Sequence, residues 1–237
     1  MEKVLTYPIT FPVIAPNCTG KVKPNMCNVK YFCIGRNKTG TTSLKTAFSD
    51  LGYSVGKQKE AERIAFSDYF NGDFTSLEQY CHSAQVFQDI PFSLPRTYAF
   101  LDHAFPGSKF ILTMRDAEQW YQSLTTFHAK LWGRNGSTPT AEDLKNATYI
   151  TKGSPYTILK TYGTDDSDPY NKEKLIAHYE KHNRDILSYF KDRPDDLLVI
   201  DVTKDGSYQE LVKFLGVEPL YDQFPWKNKT AEHAQRQ

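Results

Sequence analysis

The sequence has little that would hold a metal, a membrane or a polyanion. Its four cysteines, Cys18, Cys27, Cys33 and Cys81, stand singly. They form no C-x-x-C pair, and no histidine lies near them at zinc-finger spacing. No metal site is therefore expected, and the cysteines read as free thiols in a reducing compartment. No run reaches the roughly 18 apolar residues of a membrane span. Residues 1–16 are broken by Pro8, Pro12 and Pro16 and hold no long apolar core, so no cleaved leader is expected. The expectation is a cytoplasmic protein with no membrane attachment. The N-x-S/T sequons at Asn17, Asn37, Asn135, Asn146 and Asn228 then read as chance. Net charge is only +1, which gives no global reason to bind nucleic acid. Any anion site must be built locally.

A chain of 237 residues is long enough for one substantial core and short for two. With 39% hydrophobic and 24% charged residues it reads as globular. The first 29 residues, rich in Pro, Val and Ile, carry no helical period and read as an extended arm. This arm is a candidate for packing on the body or on a second subunit, so a homodimer stays open. Residues 30–237 read as a single domain. Apolar runs at Val29–Ile34, Gln85–Phe87, Lys109–Met114 and Leu197–Ile200 predict strands. Helical periodicity predicts helices over Thr42–Leu51, Ala117–Trp132, Lys172–Phe190 and Tyr208–Leu215. Short buried strands alternating with helices imply an α/β fold with a mainly parallel central sheet flanked by helices. Gly35, Asp89, Arg115 and Asp201 each follow a strand. In such a sheet all four converge on the carboxyl edge, where ligands bind. The polar stretch Gly133–Thr140 reads as a mobile lid or an insertion.

The strongest local signal is Gly35-Arg36-Asn37-Lys38-Thr39-Gly40-Thr41-Thr42-Ser43, between a strand and a helix. Backbone N–H groups of such a turn cradle an anion, and the helix start adds partial positive charge. Lys38 supplies a full charge. Thr41, Thr42 and Ser43 supply hydroxyl donors. The Walker A pattern needs its Lys after the second Gly, whereas Lys38 precedes Gly40, so the loop is not that motif.

Lys38-Thr39-Gly40-Thr41-Thr42-Ser43 after a strand resembles the 5′-phosphosulfate loop of sulfotransferases that use 3′-phosphoadenosine-5′-phosphosulfate (PAPS). A second stretch, Arg115-Asp116 with Trp120 and Ser123, is similar to that family's 3′-phosphate motif. The resemblance runs from about Lys30 to Asn228. It includes Tyr179-Glu180-Lys181-His182-Asn183 and Phe224-Pro225-Trp226-Lys227-Asn228. It implies a P-loop-like architecture and transfer of a sulfuryl group from PAPS to a small acceptor, with 3′-phosphoadenosine-5′-phosphate (PAP) as product. It further implies donor contacts from Arg36, Asn37, Lys38, Thr39, Gly40, Thr41, Thr42, Ser43, Arg115 and Ser123. Lys227 is a weaker candidate for another phosphate contact. Arg115 suits a phosphate because its planar fork donates two hydrogen bonds at once. Trp120 reads as core packing.

Sulfuryl transfer, like phosphoryl transfer, is catalysed mainly by positioning and charge stabilisation. Lys38 is assigned to the bridging and sulfuryl oxygens, and no metal is required. The acceptor must also lose a proton. Asp89, following a strand, is the candidate base, with a turn residue bonding local backbone as the equal alternative. His82, His103 and His128 are fallbacks. Phe66, Tyr69, Phe70, Phe92, Phe127 and Trp132 can wall an acceptor pocket or fill the core. Two other readings use the same loop: a P-loop nucleotide kinase, and a non-catalytic protein that binds 3′,5′-nucleotides.

Overall fold

The structure, a computed structural model, describes residues 29–225. The arm expected over residues 1–29 lies outside the described residues except for Val29, and so do Lys227, Cys18 and Cys27.

Four short strands, β1 (Tyr31–Cys33), β2 (Val86–Gln88), β3 (Lys109–Thr113) and β4 (Leu197–Ile200), form one sheet in the order β2-β1-β3-β4. Every pairing is parallel. Tyr31 sits opposite both Val86 and Lys109, and Phe110 opposite Leu197. Successive side chains of a strand point to opposite faces. Tyr31 and Cys33 accordingly join Leu44, Phe48, Ile111 and Leu211 in one buried cluster. Phe32 and Ile34 join Phe87, Phe110, Leu112 and Ile186 in another. Both faces of β1 are thus covered, which is why its sequence reads as an unbroken apolar run.

The helices on the first face are α1 (Thr41–Asp50) and, late in the chain, α9 (Ser207–Leu215). α9 ends at Gly216, whose φ of 64° is the left-handed cap expected of glycine there. The other face carries α2 (Gln58–Ser67), α3 (Thr75–Tyr80), α4 (Thr97–Ala104) and α8 (Lys172–Tyr189). Between α4 and α8 come α5 (Ala117–Trp132), α6 (Ala141–Asn146) and α7 (Ser154–Lys160). Leu124 of α5, Leu144 of α6, Ile158 and Leu159 of α7 and Leu175 of α8 pack into a third cluster around Trp120.

The bounds of α5 and β4 agree with the sequence expectation, and the other expected elements differ by one to three residues. Helices α2, α3, α6 and α7 were not expected. Each is short or has few apolar positions, and burial against neighbours decides it more than its own periodicity. Local start signals nevertheless exist. Thr140 and Asp143 form a capping box at α6, and Pro155 stands in the first turn of α7.

Candidate active site

All four strands run the same way, so the residues after Cys33, Gln88, Thr113 and Ile200 share one edge of the sheet. The β1–α1 loop occupies its centre. Two residues in the loop, Lys38 (φ 73°) and Gly40 (φ 97°), adopt left-handed backbone. Gly40 is tolerated there as glycine; Lys38 is a strained choice costing about 1–3 kcal/mol. The loop also presses tightly on its neighbours. A Cβ on Gly35 would lie 2.2 Å from Thr113 Oγ1, and one on Gly40 2.1 Å from Val202 Cγ2.

The start of α1 is open to an anion. Its cap residue is Gly40, no side chain caps it, and the first turn carries no acidic residue. The N–H groups of Thr41, Thr42 and Ser43 have no partner among the described residues, and neither do their hydroxyls. Three orphan amides at the positive end of a ten-residue helix leave room for a negatively charged group.

The other loop residues divide into ligand candidates and braces. Thr39 is buried. Its hydroxyl donates to Arg36 O (2.6 Å) and pairs with Thr113 Oγ1 (2.6 Å). Arg36 points into the body: its guanidinium is buried, donates to Ser93 O (2.6 Å) and stacks on Tyr162. Asn37 accepts from Ser93 Oγ (2.8 Å). These three side chains hold the loop's shape. The Lys38 ammonium is free of carboxylates, forming no ion pair among the described residues. It lies 3.7 Å from the centre of the Phe127 ring on α5. Partial burial lowers its pKa, Asp89 pushes it back up, and Arg115 lowers it further.

Arg115 follows β3, directly before Asp116, which caps α5 by accepting from Gln119 N (2.9 Å). Among the described residues its guanidinium makes only two long hydrogen bonds, to Lys38 O (3.2 Å) and Gln119 Oε1 (3.4 Å). Its buried Nε has no partner. Arg115 is therefore a cation beside the loop with hydrogen-bonding capacity to spare. Ser123 lies part-buried two turns along α5.

Trp120, expected to be core, is fully buried, and it also donates from Nε1 to Asn37 O (2.9 Å). Its indole stacks on Tyr179 with centroids 4.5 Å apart and planes 10° apart. The Tyr179 hydroxyl accepts from Arg115 N and donates to Arg115 O, both at 3.0 Å. One stacked pair thus fixes the loop and the Arg115 backbone together. Nearby on α8, His182 Nε2 bonds Ile34 O at 2.9 Å, and burial pushes the imidazole down to about 3. Neutral His182 is therefore the donor in that bond.

Asp89 stands in left-handed backbone (φ 65°) after β2, and its Oδ1 accepts from Ile90 N (2.9 Å). Burial raises its pKa, against lowering by that N–H, by Arg36 and Lys38, and by the Asn37 side chain. Burial wins, so this carboxyl takes up a proton more readily than an ordinary aspartate. The histidine fallbacks are placed less favourably. His82 and His103 are exposed. His128 is buried on Tyr170 (2.8 Å) and pushed down to about 3 by burial and then by Lys38, which makes it a poor proton acceptor.

The model of the sulfotransferase domain matches residues 30–233, most of the chain. The chain belongs to the sulfotransferase family. No curated protein matches it. In this sulfotransferase the expected pocket aromatics separate. Phe92 lies in the core against Phe32 and Phe87. Phe66, Tyr69 and Phe70 are partly buried against the third cluster. Phe127 is 40% exposed, and Trp132 contacts Tyr149, which is 45% exposed.

Sequence reasoning missed Glu62 and Tyr149. Glu62, on α2, is only 4% exposed and accepts from the Tyr149 hydroxyl at 2.8 Å. Gln58 Nε2 bonds both Glu62 Oε1 (3.4 Å) and Ile90 O (3.1 Å), tying α2 to the turn that holds Asp89. A glutamate in a short polar helix gives no local hint of burial. A surface cleft lined by Thr125, Lys130, Gly133 and Thr138 among others shares no residue with the loop. Among the described residues no helix is long and apolar enough to cross a membrane, and no group of three His, Cys, Asp or Glu side chains is placed to hold a metal ion.

Proposed function

We propose that this sulfotransferase moves the sulfuryl group of PAPS to a hydroxyl or amine of a small acceptor. The observation that carries this reading is the pairing of two uncommitted cations, Lys38 and Arg115, with the bare start of α1. Among the described residues each lacks a carboxylate partner, and Arg115 keeps an orphaned buried Nε. That donor set suits a ligand with two separate anionic groups. The amides and hydroxyls of Thr41, Thr42 and Ser43, with Lys38, would hold the 5′-phosphosulfate. Arg115 and Ser123 would hold the 3′-phosphate.

PAPS supplies a sulfuryl group activated by its bond to phosphate. Lys38 stabilises the charge that develops on the leaving phosphate oxygen. Asp89 takes the acceptor's proton as the new bond to sulfur forms and the old sulfur–oxygen bond breaks. The burial that raises the Asp89 pKa makes it a stronger base than a solvated carboxylate.

Calorimetric titration with PAP, with ADP as control, tests the donor site. The expected result is binding that requires the 3′-phosphate and weakens in Arg115→Ala. Equal or tighter binding of ADP would overturn the reading in favour of a nucleotide kinase. PAP binding without transfer to any acceptor would leave a nucleotide-binding protein.

A further inference from the structure

The acceptor side of this site has a charge problem. Glu62 and Asp89 lie within electrostatic reach of one another, and neither has a cation within ion-pair distance among the described residues. The nearest candidates are engaged elsewhere. Arg36 donates to Ser93 O and lies over Tyr162, with its buried Nε unpartnered, and Lys38 rests on Phe127. Glu62 Oε1 accepts from Tyr149 and Gln58, but Oε2 has no partner at all, although the side chain is buried. A buried carboxylate oxygen without a donor is costly, and proteins seldom leave one so.

The surroundings say what would relieve it. Tyr149 is half exposed, with its hydroxyl on Glu62 and its ring against Trp132. Aromatic rings beside unpaired carboxylates suit an organic cation, whose charge the acids meet and whose apolar part the rings cover. Once Lys38 is drawn to an anionic donor, the acceptor side keeps two acids and loses one of the cations that offset them.

We propose that Glu62 and Asp89, under the Tyr149 and Trp132 rings, form a cation-selective acceptor subsite, and that the acceptor is a protonated primary amine. This rests on the sulfotransferase reading above and specifies its substrate class. The chemistry balances with the residues present. An ammonium must give up two protons to become a sulfamate, whereas a hydroxyl gives up one to become a sulfate ester. Asp89 takes the first proton, freeing the nitrogen lone pair. The nitrogen–sulfur bond forms as the sulfur–oxygen bond breaks, and the electron pair of that bond stays on the leaving phosphate oxygen. The second proton leaves the sulfonated nitrogen for Glu62.

The groups facing these acids bear on the pH at which they act. Glu62 meets Tyr149, Gln58, Asp89 and the Lys59 charge; burial, the largest influence, raises its pKa. Asp89 meets Arg36, Lys38, Asn37 and the Ile90 N–H. Both carboxyls must be ionised to attract a cation, so the preference for an amine weakens as pH falls.

The test uses a matched pair of probes, 2-phenylethylamine and 2-phenylethanol, titrated into the full chain saturated with PAP. The amine is expected to bind roughly 10- to 100-fold tighter, the range of a hydrogen bond to a charged group. Glu62→Gln, which keeps shape but not charge, should bring the two probes close to equal. Tyr149→Phe, which removes a donor that favours the ionised Glu62, should narrow the gap by a few fold and serves if the Gln variant folds poorly. With PAPS, proton release measured by an indicator dye should be two per PAP formed with the amine. Equal or tighter binding of the alcohol, or an amine preference untouched by both variants, would overturn the inference. Failure of PAP itself to bind would instead sink the reading beneath it, so the two failures are told apart at the first titration.

Discussion

The proposed donor side takes its shape from backbone, and the proposed acceptor side from side chains. On the donor side one contiguous loop, Gly35–Ser43, presents amides, and the side chains of Arg36, Asn37 and Thr39 are spent on holding it. On the proposed acceptor side Glu62, Tyr149 and Trp132 come from separate segments that meet only in the folded chain, and Asp89 lies within electrostatic reach of Glu62. A site made of backbone is sensitive to added atoms. A site made of side chains is sensitive to lost charge.

Four measurements would sharpen or break that contrast. The largest effect is expected from Lys38→Ala. Transfer from PAPS should fall about 100- to 1000-fold, the loss found when one preorganised charge-stabilising donor is removed. PAP affinity, read by calorimetry, should fall far less. Next is Gly35→Ala, in which the new methyl would collide with the Thr113 backbone 2.5 Å away. It should cost about 1–3 kcal/mol in thermal unfolding, although it removes no functional group. A neutral result would mean that the loop yields easily and the contrast is false.

Trp120→Phe comes third. It keeps an aromatic ring against Tyr179 but leaves Asn37 O without its donor, which should weaken PAP binding by about 1 kcal/mol. The smallest effect, and one of opposite sign, is expected on the acceptor side. Burial raises the Asp89 pKa. Its contribution to folding is therefore fully present below the unfolded value and is lost as pH rises through the folded one. Asp89→Asn should melt slightly above the wild-type protein at pH 7.5, with the gap closing at acid pH. The wild-type acid limb of kcat/KM should lie above the ordinary aspartate value of about 4. A variant less stable at pH 7.5 would show that Asp89 is a structural turn residue.

The same contrast explains what could be read from the chain. The four strands and helices α1, α5, α8 and α9 announced themselves through apolar runs and periodicity, which are local. The loop, Lys38, Arg115 and Ser123 lie in contiguous motifs. Glu62 and Tyr149 are 87 residues apart in sequence, and nothing near either one signals the other. Arg36 stands among the expected donor contacts through the resemblance, and its guanidinium turns inward to Ser93 O, a contact 57 residues away. Trp120 was correctly read as core. Its second job, a hydrogen bond to the loop, depends on a carbonyl 83 residues earlier. Tyr179 lay in a stretch already singled out, but its grip on Arg115 is visible only in three dimensions.

The Trp120–Tyr179 stack also makes the proposed nucleotide site optically legible. Indole emission shifts with the polarity and rigidity around the ring, and this ring is sealed from solvent with its N–H fastened to the loop. The chain has only two other tryptophans, Trp132 and Trp226. With both replaced by phenylalanine, Trp120 becomes the single indole fluorophore, excited selectively over the tyrosines, and its emission is expected to record the filling and emptying of the anion loop without a label.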